Sequence, residues 1–135
     1  MGKNISSALK FREYIVKEVN FKLNDSFSNR ADVPIRFGIE KKIEAIDNRM
    51  NVALEVVVFP EAVLNDYPFE IKVKIFGIFE TIGGQLTEKF ETNAIAILYP
   101  YVRAIISTYT AQANVPALIL PPINVNSLMK DEKLK

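Results

Sequence analysis

The chain of 135 residues contains no histidine, no cysteine and no tryptophan. Without cysteine there is no disulfide, no thiolate nucleophile and no thiolate metal site. Without histidine the usual zinc, copper and non-haem iron centres lose their commonest ligand, and neither a Ser-His-Asp nor a Cys-His arrangement can be assembled. An excess of one charge is missing too: 17 Lys+Arg stand against 16 Asp+Glu, a formal +1 that leaves no electrostatic footprint for nucleic acid. No phosphate loop, paired-carboxylate motif or metal-spaced cluster is present; Gly83-Gly84 reads as a turn, and Glu88 with Glu91 as a charge pair at a helix start. Carboxylate–lysine and carboxylate–tyrosine chemistry stay open, but the expectation is a protein that is not an enzyme and needs no cofactor and no metal.

Long hydrophobic runs are also absent. The N-terminus MGKNISSALKFRE has no continuous apolar stretch, so no signal peptide is expected. The most apolar window, Ala94 to Ile106, is 13 residues long, holds Pro100 and Arg103, and is too short to span a bilayer. A cytoplasmic protein without membrane insertion is expected. Gly2 with Ser6 fits the myristoylation pattern, and Asn4-Ile5-Ser6 and Asn24-Asp25-Ser26 fit the glycosylation sequon, all short enough to arise by chance.

What is present is 49% hydrophobic residues in distinct patterns. The length fits one domain over residues 1–135, with 1–8 and 130–135 as flexible ends, and a chain of this size buries roughly two-thirds of its unfolded surface. Leu9, Phe11, Ile15, Val19, Phe21 and Leu23 fall on odd positions, interrupted by Glu13 and Lys17, which predicts a long strand of period 2. The pattern returns at Ile35, Phe37, Ile39, Ile43 and Ala45, and DNRMN (47–51) reads as a turn. Val52 to Phe59 predicts a strand covered on both faces or facing a partner chain, and Pro60 ends it. After Pro68 a fourth strand alternates Phe69, Ile71, Val73, Ile75 and Phe79 with Glu70, Lys72 and Lys74, its polar face turning apolar at Phe76 and Ile78.

From about Thr87 the period becomes helical. Ile95, Leu98, Val102, Ile105 and Tyr109 form one stripe, and Ile97, Tyr101, Ala104 and Thr108 a second beside it. Thr92 or Asn93 is placed to cap the helix, and Pro100 marks a kink or a fresh start. Val115 to Pro122, with three prolines, reads as an extended crossing segment, after which Asn124 or Asn126 caps a last short helix. Arg103 is the sole charged residue in 92–129. A helix on a sheet needs one apolar face; a second has to be covered by something else, and a second copy of the chain is the simplest cover.

The pieces ILYPYVRAIIS (97–107) and VPALILPPINVNSL (115–128) resemble the C-terminal half of SecB, the protein-export chaperone family. Pro100, Tyr101 and Arg103, then Pro116, Leu118, Leu120, Pro122 and Asn124, carry the likeness, with KEVNF (17–21) and KIFGIFE (74–80) agreeing more loosely. The resemblance implies an α+β fold: a four-stranded antiparallel sheet with a long helix and a short C-terminal helix packed on one side, assembled as a dimer of dimers. Ile97, Tyr101, Ile105 and Tyr109 would then line the helix-to-helix interface. It implies a chaperone without chemistry, a holdase that keeps unfolded preproteins or a dedicated client polypeptide in long apolar grooves. In this chain the groove would draw on Ile35, Phe37 and Ile39, on Leu118, Leu120 and Pro122, and on Val125, Leu128 and Met129.

The family docks the translocation motor SecA through acidic positions on the outer sheet face. Glu18 keeps one such position, whereas Lys22 and Lys72 stand where acid is usual, so the face that should meet a basic partner is mixed or basic. This departure brings in the SecB-like chaperones that serve an antitoxin of a toxin–antitoxin system. Two readings outside the family compete: a small-ligand-binding α+β protein with Tyr101, Arg103 or Glu55 as polar handles, and an oligomerisation module with no client.

Overall fold

The structure, a computed structural model, describes residues 8–82 and 88–123. Four strands, β1 (Ala8–Leu23), β2 (Phe37–Ile46), β3 (Arg49–Val58) and β4 (Phe69–Ile82), form one antiparallel sheet in the order β1-β4-β3-β2. The long helix α2 (Glu88–Gln112) lies over β1, β4 and β3, and a short helix, α1 (Ala62–Asn65), sits between β3 and β4. This is the expected α+β class. The expected last helix after Asn124, and the Gly83-Gly84 turn, lie outside the described residues.

Strict alternation builds the core. Met50, Val52, Leu54, Val56 and Val58 of β3, with Ile71, Val73, Ile75 and Phe79 of β4, are fully buried under α2. Each such side chain contributes about 1.5–3 kcal/mol by leaving water. Their neighbours on the outer face, Asn51, Ala53, Glu55 and Val57 in β3, are only half-buried. β3 is therefore a central strand with one dry face, not one covered on both sides. Asp47-Asn48 alone joins β2 to β3, with Asp47 in the left-handed region at φ 55°, so the turn is shorter than DNRMN suggested.

β1 departs from its odd-position pattern. Its pairing with β4 slips between Phe11 and Glu13 and again between Val16 and Glu18, leaving Arg12 and Lys17 as bulge residues. Between the bulges the faces exchange. Tyr14 turns toward α2 and stacks on Tyr101 with ring centroids 4.3 Å apart, while Ile15 stands opposite Phe76 on the outer face. The second slip restores the original phase, so that Phe21 packs on Phe69 and Tyr109. The bulge residues stay in solvent, Arg12 paired with Glu80 at 3.2 Å and Lys17 over the Phe76 ring.

α2 begins earlier than Thr92 and runs through Pro100 without ending, so neither Thr92 nor Asn93 caps it. Its buried face is Ala94, Ile95, Leu98, Tyr99, Val102, Ile106 and Thr110, a stripe rotated from the expected one: Tyr99 and Ile106 are inside, Ile105 is half-buried, and Tyr109 is exposed. Pro100 is exposed, on the side of the helix away from the sheet, where the carbonyl it leaves without an N–H partner can meet water. At the far end Asn24 is buried and ties β1 to the α1 loop, its amide donating to the Tyr67 carbonyl at 2.8 Å and the Ala62 carbonyl at 3.3 Å. The sequon asparagine at 24 is thus engaged inside the fold. Beside it the Ser28 hydroxyl and N–H donate to Asp66, and with help from Arg30 they hold its carboxyl below the usual aspartate range.

Candidate functional site

β2 is an edge strand, and α2 covers the other three strands. Its helix-side row, Phe37, Ile39, Lys41 and Ile43, stands opposite Val58, Val56, Leu54 and Val52 of β3. Because the helix does not reach over this row, Phe37, Ile39 and Ile43 are only half-buried, packed sideways against the core. Ile35 lies just before the strand rather than in it and is 40% exposed. The result is an apolar track beside a row of backbone groups with no strand beyond it among the described residues.

The crossing segment, residues 115–123, lies against α2. Pro116, Pro121 and Pro122 carry no N–H, so residues 115–123 cannot join a helix, and no described strand pairs with them. Their backbone groups still need partners, and α2 supplies donors from Tyr99, Arg103 and Ser107 and an acceptor from Thr110, a 4-4-3 spacing that lines up on one helix face. The Tyr99 hydroxyl donates to the Pro121 carbonyl at 2.8 Å, the Arg103 Nε to the Leu120 carbonyl at 3.0 Å, and the Ser107 hydroxyl to the Leu118 carbonyl at 3.0 Å. Thr110 turns the direction round: its Oγ1 accepts from the Leu118 N–H at 2.9 Å while donating to the Ile106 carbonyl at 2.8 Å. Burial pushes the Tyr99 phenol above its ordinary pKa, with the Arg103 charge acting the other way.

This ladder places the predicted site residues. Leu118 and Leu120 point into the core, 9% and 0% exposed, so they anchor the segment instead of lining the track; the outward residue is Ile119 at 70%. Pro122 is exposed, and Val125, Leu128 and Met129 lie outside the described residues. Tyr99, Ser107, Thr110 and Ile119 went unnoticed in the sequence, although four polar side chains at helical spacing opposite a proline-rich segment were a readable signal. Arg103 is taken up by a main-chain carbonyl. Tyr101 packs on Phe11 and Tyr14, while Glu55 lies on the opposite sheet face in a shallow depression of about 160 Å³ with Glu40, Lys42 and Lys74, so the three polar handles do not converge.

Of the expected helix-interface residues, Ile97, Tyr101 and Ile105 are half-buried on the flank of the core and Tyr109 is 40% exposed against Phe21. The outward row of α2 is instead Ala96, Pro100, Ala104, Thr108 and Ala111, small and uncharged. Glu18, Lys22 and Lys72 come together on the outer face, where the ladder sets Glu18 against Lys74, Asn20 against Lys72 and Lys22 against Glu70. Charges of both signs alternate there, and no potential of one sign can build up.

A four-stranded sheet with one long helix, an apolar track along one edge and an uncharged crossing segment latched to the helix defines the class of the fold, α+β. The chain belongs to the SecB family: the model of preprotein translocase subunit SecB matches residues 4–135. It is 38% identical to an uncharacterized protein of Methanocaldococcus jannaschii over 128 residues, 90% of this chain and 83% of that one. It is 30% identical to the protein-export protein SecB of Actinobacillus succinogenes over 131 residues, 89% of this chain and 77% of that one. Among solved structures, the SecB-like chaperone of Mycobacterium tuberculosis, in complex with a ChAD peptide from the HigA1 antitoxin, superposes with a TM-score of 0.64 at 15% identity, covering 86% of this chain and 88% of that one. Family membership supports a chaperone role and sets the chain in a non-enzymatic family. No helix among the described residues is long and apolar enough to cross a membrane.

Proposed function

We propose that the protein is an ATP-independent holdase that receives extended, non-native polypeptide along the track beside β2. The observation that carries this is the half-covered row Phe37, Ile39 and Ile43 along a sheet edge with no further strand among the described residues, with Ile35 exposed just before it and Ile119 exposed on the crossing segment. A strand edge offers main-chain hydrogen bonds to any sequence, and alternate apolar side chains find the row beside it. Many weak contacts of this kind hold a long client by multivalency. The test is to dilute a chemically unfolded protein out of denaturant and follow its light scattering. Wild type in molar excess suppresses the scattering, and Phe37→Asp or Ile119→Asp weakens suppression several-fold without unfolding the chain. Scattering unchanged at every ratio of wild type would end the holdase reading.

A second reading concerns what the chaperone serves. Lys22 and Lys72 lie on the outer face among charges of both signs, which supports a dedicated client, as with the antitoxin peptide bound by the structural neighbour, over delivery of unfolded preproteins to SecA. Self-association is part of both readings. The edge strand β1 leaves Tyr14, Val16, Val19 and Leu23 exposed, and α2 presents its small uncharged row on the side away from the sheet. A second copy is the cover such a surface calls for.

A further inference from the structure

The bonds from α2 to the crossing segment touch only its backbone: the carbonyls of Leu118, Leu120 and Pro121 and the N–H of Leu118. The side chains alternate, Leu118 and Leu120 inward and Ile119 outward. Any extended segment with apolar residues two apart carries the same pattern, because carbonyls are common to all residues and alternation is the geometry of an extended chain. Resting on the holdase reading above, we infer that the α2 face bearing Tyr99, Arg103, Ser107 and Thr110 is itself a binding site for an extended apolar polypeptide segment, and that residues 115–123 occupy it in the free protein as an internal competitor.

Three further features support the exchange of one extended segment for another. The crossing segment pairs with no described strand, so lifting it breaks no sheet ladder. It starts from a defined pivot, since α2 closes with the Ala113 N–H on the Tyr109 carbonyl at 2.9 Å and Asn114 follows at φ 63°, a left-handed residue that ends the helix. Arg103 makes a vacated site costly, because a half-buried guanidinium that loses the Leu120 carbonyl needs another acceptor. An arriving segment brings that carbonyl with it, so exchange is favoured over simple opening.

Hydrogen exchange of the amides in 115–123, measured on the full chain, tests this. The probes are a reduced, S-carboxymethylated, permanently unfolded polypeptide and a synthetic peptide of residues 114–123 with lysines added at both ends. On binding, exchange in 115–123 is expected to rise at least tenfold. A bound probe that leaves this exchange unchanged or slows it overturns the inference, since the segment is then a fixed wall of the track, while the holdase reading stands. Failure of both probes to bind wild type at all overturns the holdase reading and the inference with it. Leu120→Ala shortens an inward anchor of the internal segment and leaves every α2 donor in place, so it should tighten apparent affinity for the unfolded probe about tenfold or more by raising the open fraction. Unchanged or weaker affinity counts against the internal competitor. Leu118→Ala, at the less deeply buried of the two anchors, asks the same question at a smaller effect if Leu120→Ala does not fold.

Discussion

At Gly77 the distance between helix and sheet is set by the absence of a side chain. A Cβ there would meet both Leu98 methyl carbons at 2.8 Å and the Phe79 ring at 2.9 Å. Leu98 and Phe79 are both fully buried and have nowhere to retreat. Gly77→Ala should therefore destabilise the fold by about 1–3 kcal/mol through overpacking, read by denaturant titration. Combined with Leu98→Ala, which opens room at the same spot, the total loss should fall short of the two single losses added together. Additive losses would mean that the helix is held off the sheet by something else. In the sequence this glycine is one letter in KIFGIFE, and nothing local distinguishes it, because the crowding comes from a helix turn far along the chain.

At the scale of elements, β1 shows how a correct strand reading can carry the wrong faces. Phe11 and Val19 both face α2, and a regular strand between them would have turned Glu13, Ile15 and Lys17 inward. Two bulges spend one residue each, so that Tyr14 and Val16 face the helix and the charged Glu13 and Lys17 stay out. Deleting the bulge residue Lys17 keeps every neighbour on its present face and should lower stability only modestly. Deleting Val16 pulls Lys17 into the helix-side position and should cost about 1 kcal/mol more than deleting Lys17, from the lost contact of a half-exposed valine. Thermal unfolding of the two deletions side by side decides the matter, and equal losses would mean the bulges do not set the faces. The two interrupting charges were the visible trace of the bulges, but a pattern of period 2 cannot say where a strand gains a residue. Strand order was equally hidden, since antiparallel pairing of β1 with β4 is decided by packing across the intervening residues 24–68.

At the scale of the whole molecule, two long strand edges and an uncharged helix row have no strand or helix over them among the described residues. Such edges attract further chains unless they are occupied. We expect the 15.3 kDa chain to sediment as an oligomer. Val19→Glu on the β1 edge and Ala104→Glu on the outward helix row should each lower its mass, since a carboxylate at an apolar contact loses its hydration without gaining a partner. Both side chains stand outside the core, so the far-ultraviolet circular dichroism should be unchanged. A monomeric wild type at micromolar concentration would sink this expectation. The track beside β2 was partly legible at this scale: Phe37 and Ile39 lie on it, whereas Leu118 and Leu120 turned inward and Ile119 took the outer position. Which of two alternating rows faces out depends on what the crossing segment lies against, and that is a tertiary fact.

By itself the sequence determined the class of elements, the missing residue types and the family, because residue types, periodicity and proline placement are local properties that survive in any conformation. Four strands, one long helix and an extended crossing were all readable in that way. Only the tertiary structure decided the bulges, the rotation of the buried helix stripe, the close approach at Gly77 and the role of Arg103. Each depends on a partner distant in sequence. The sole charge in residues 92–129 looked like a handle for a ligand; folded, its guanidinium answers a main-chain carbonyl that proline-rich chain could not satisfy within itself.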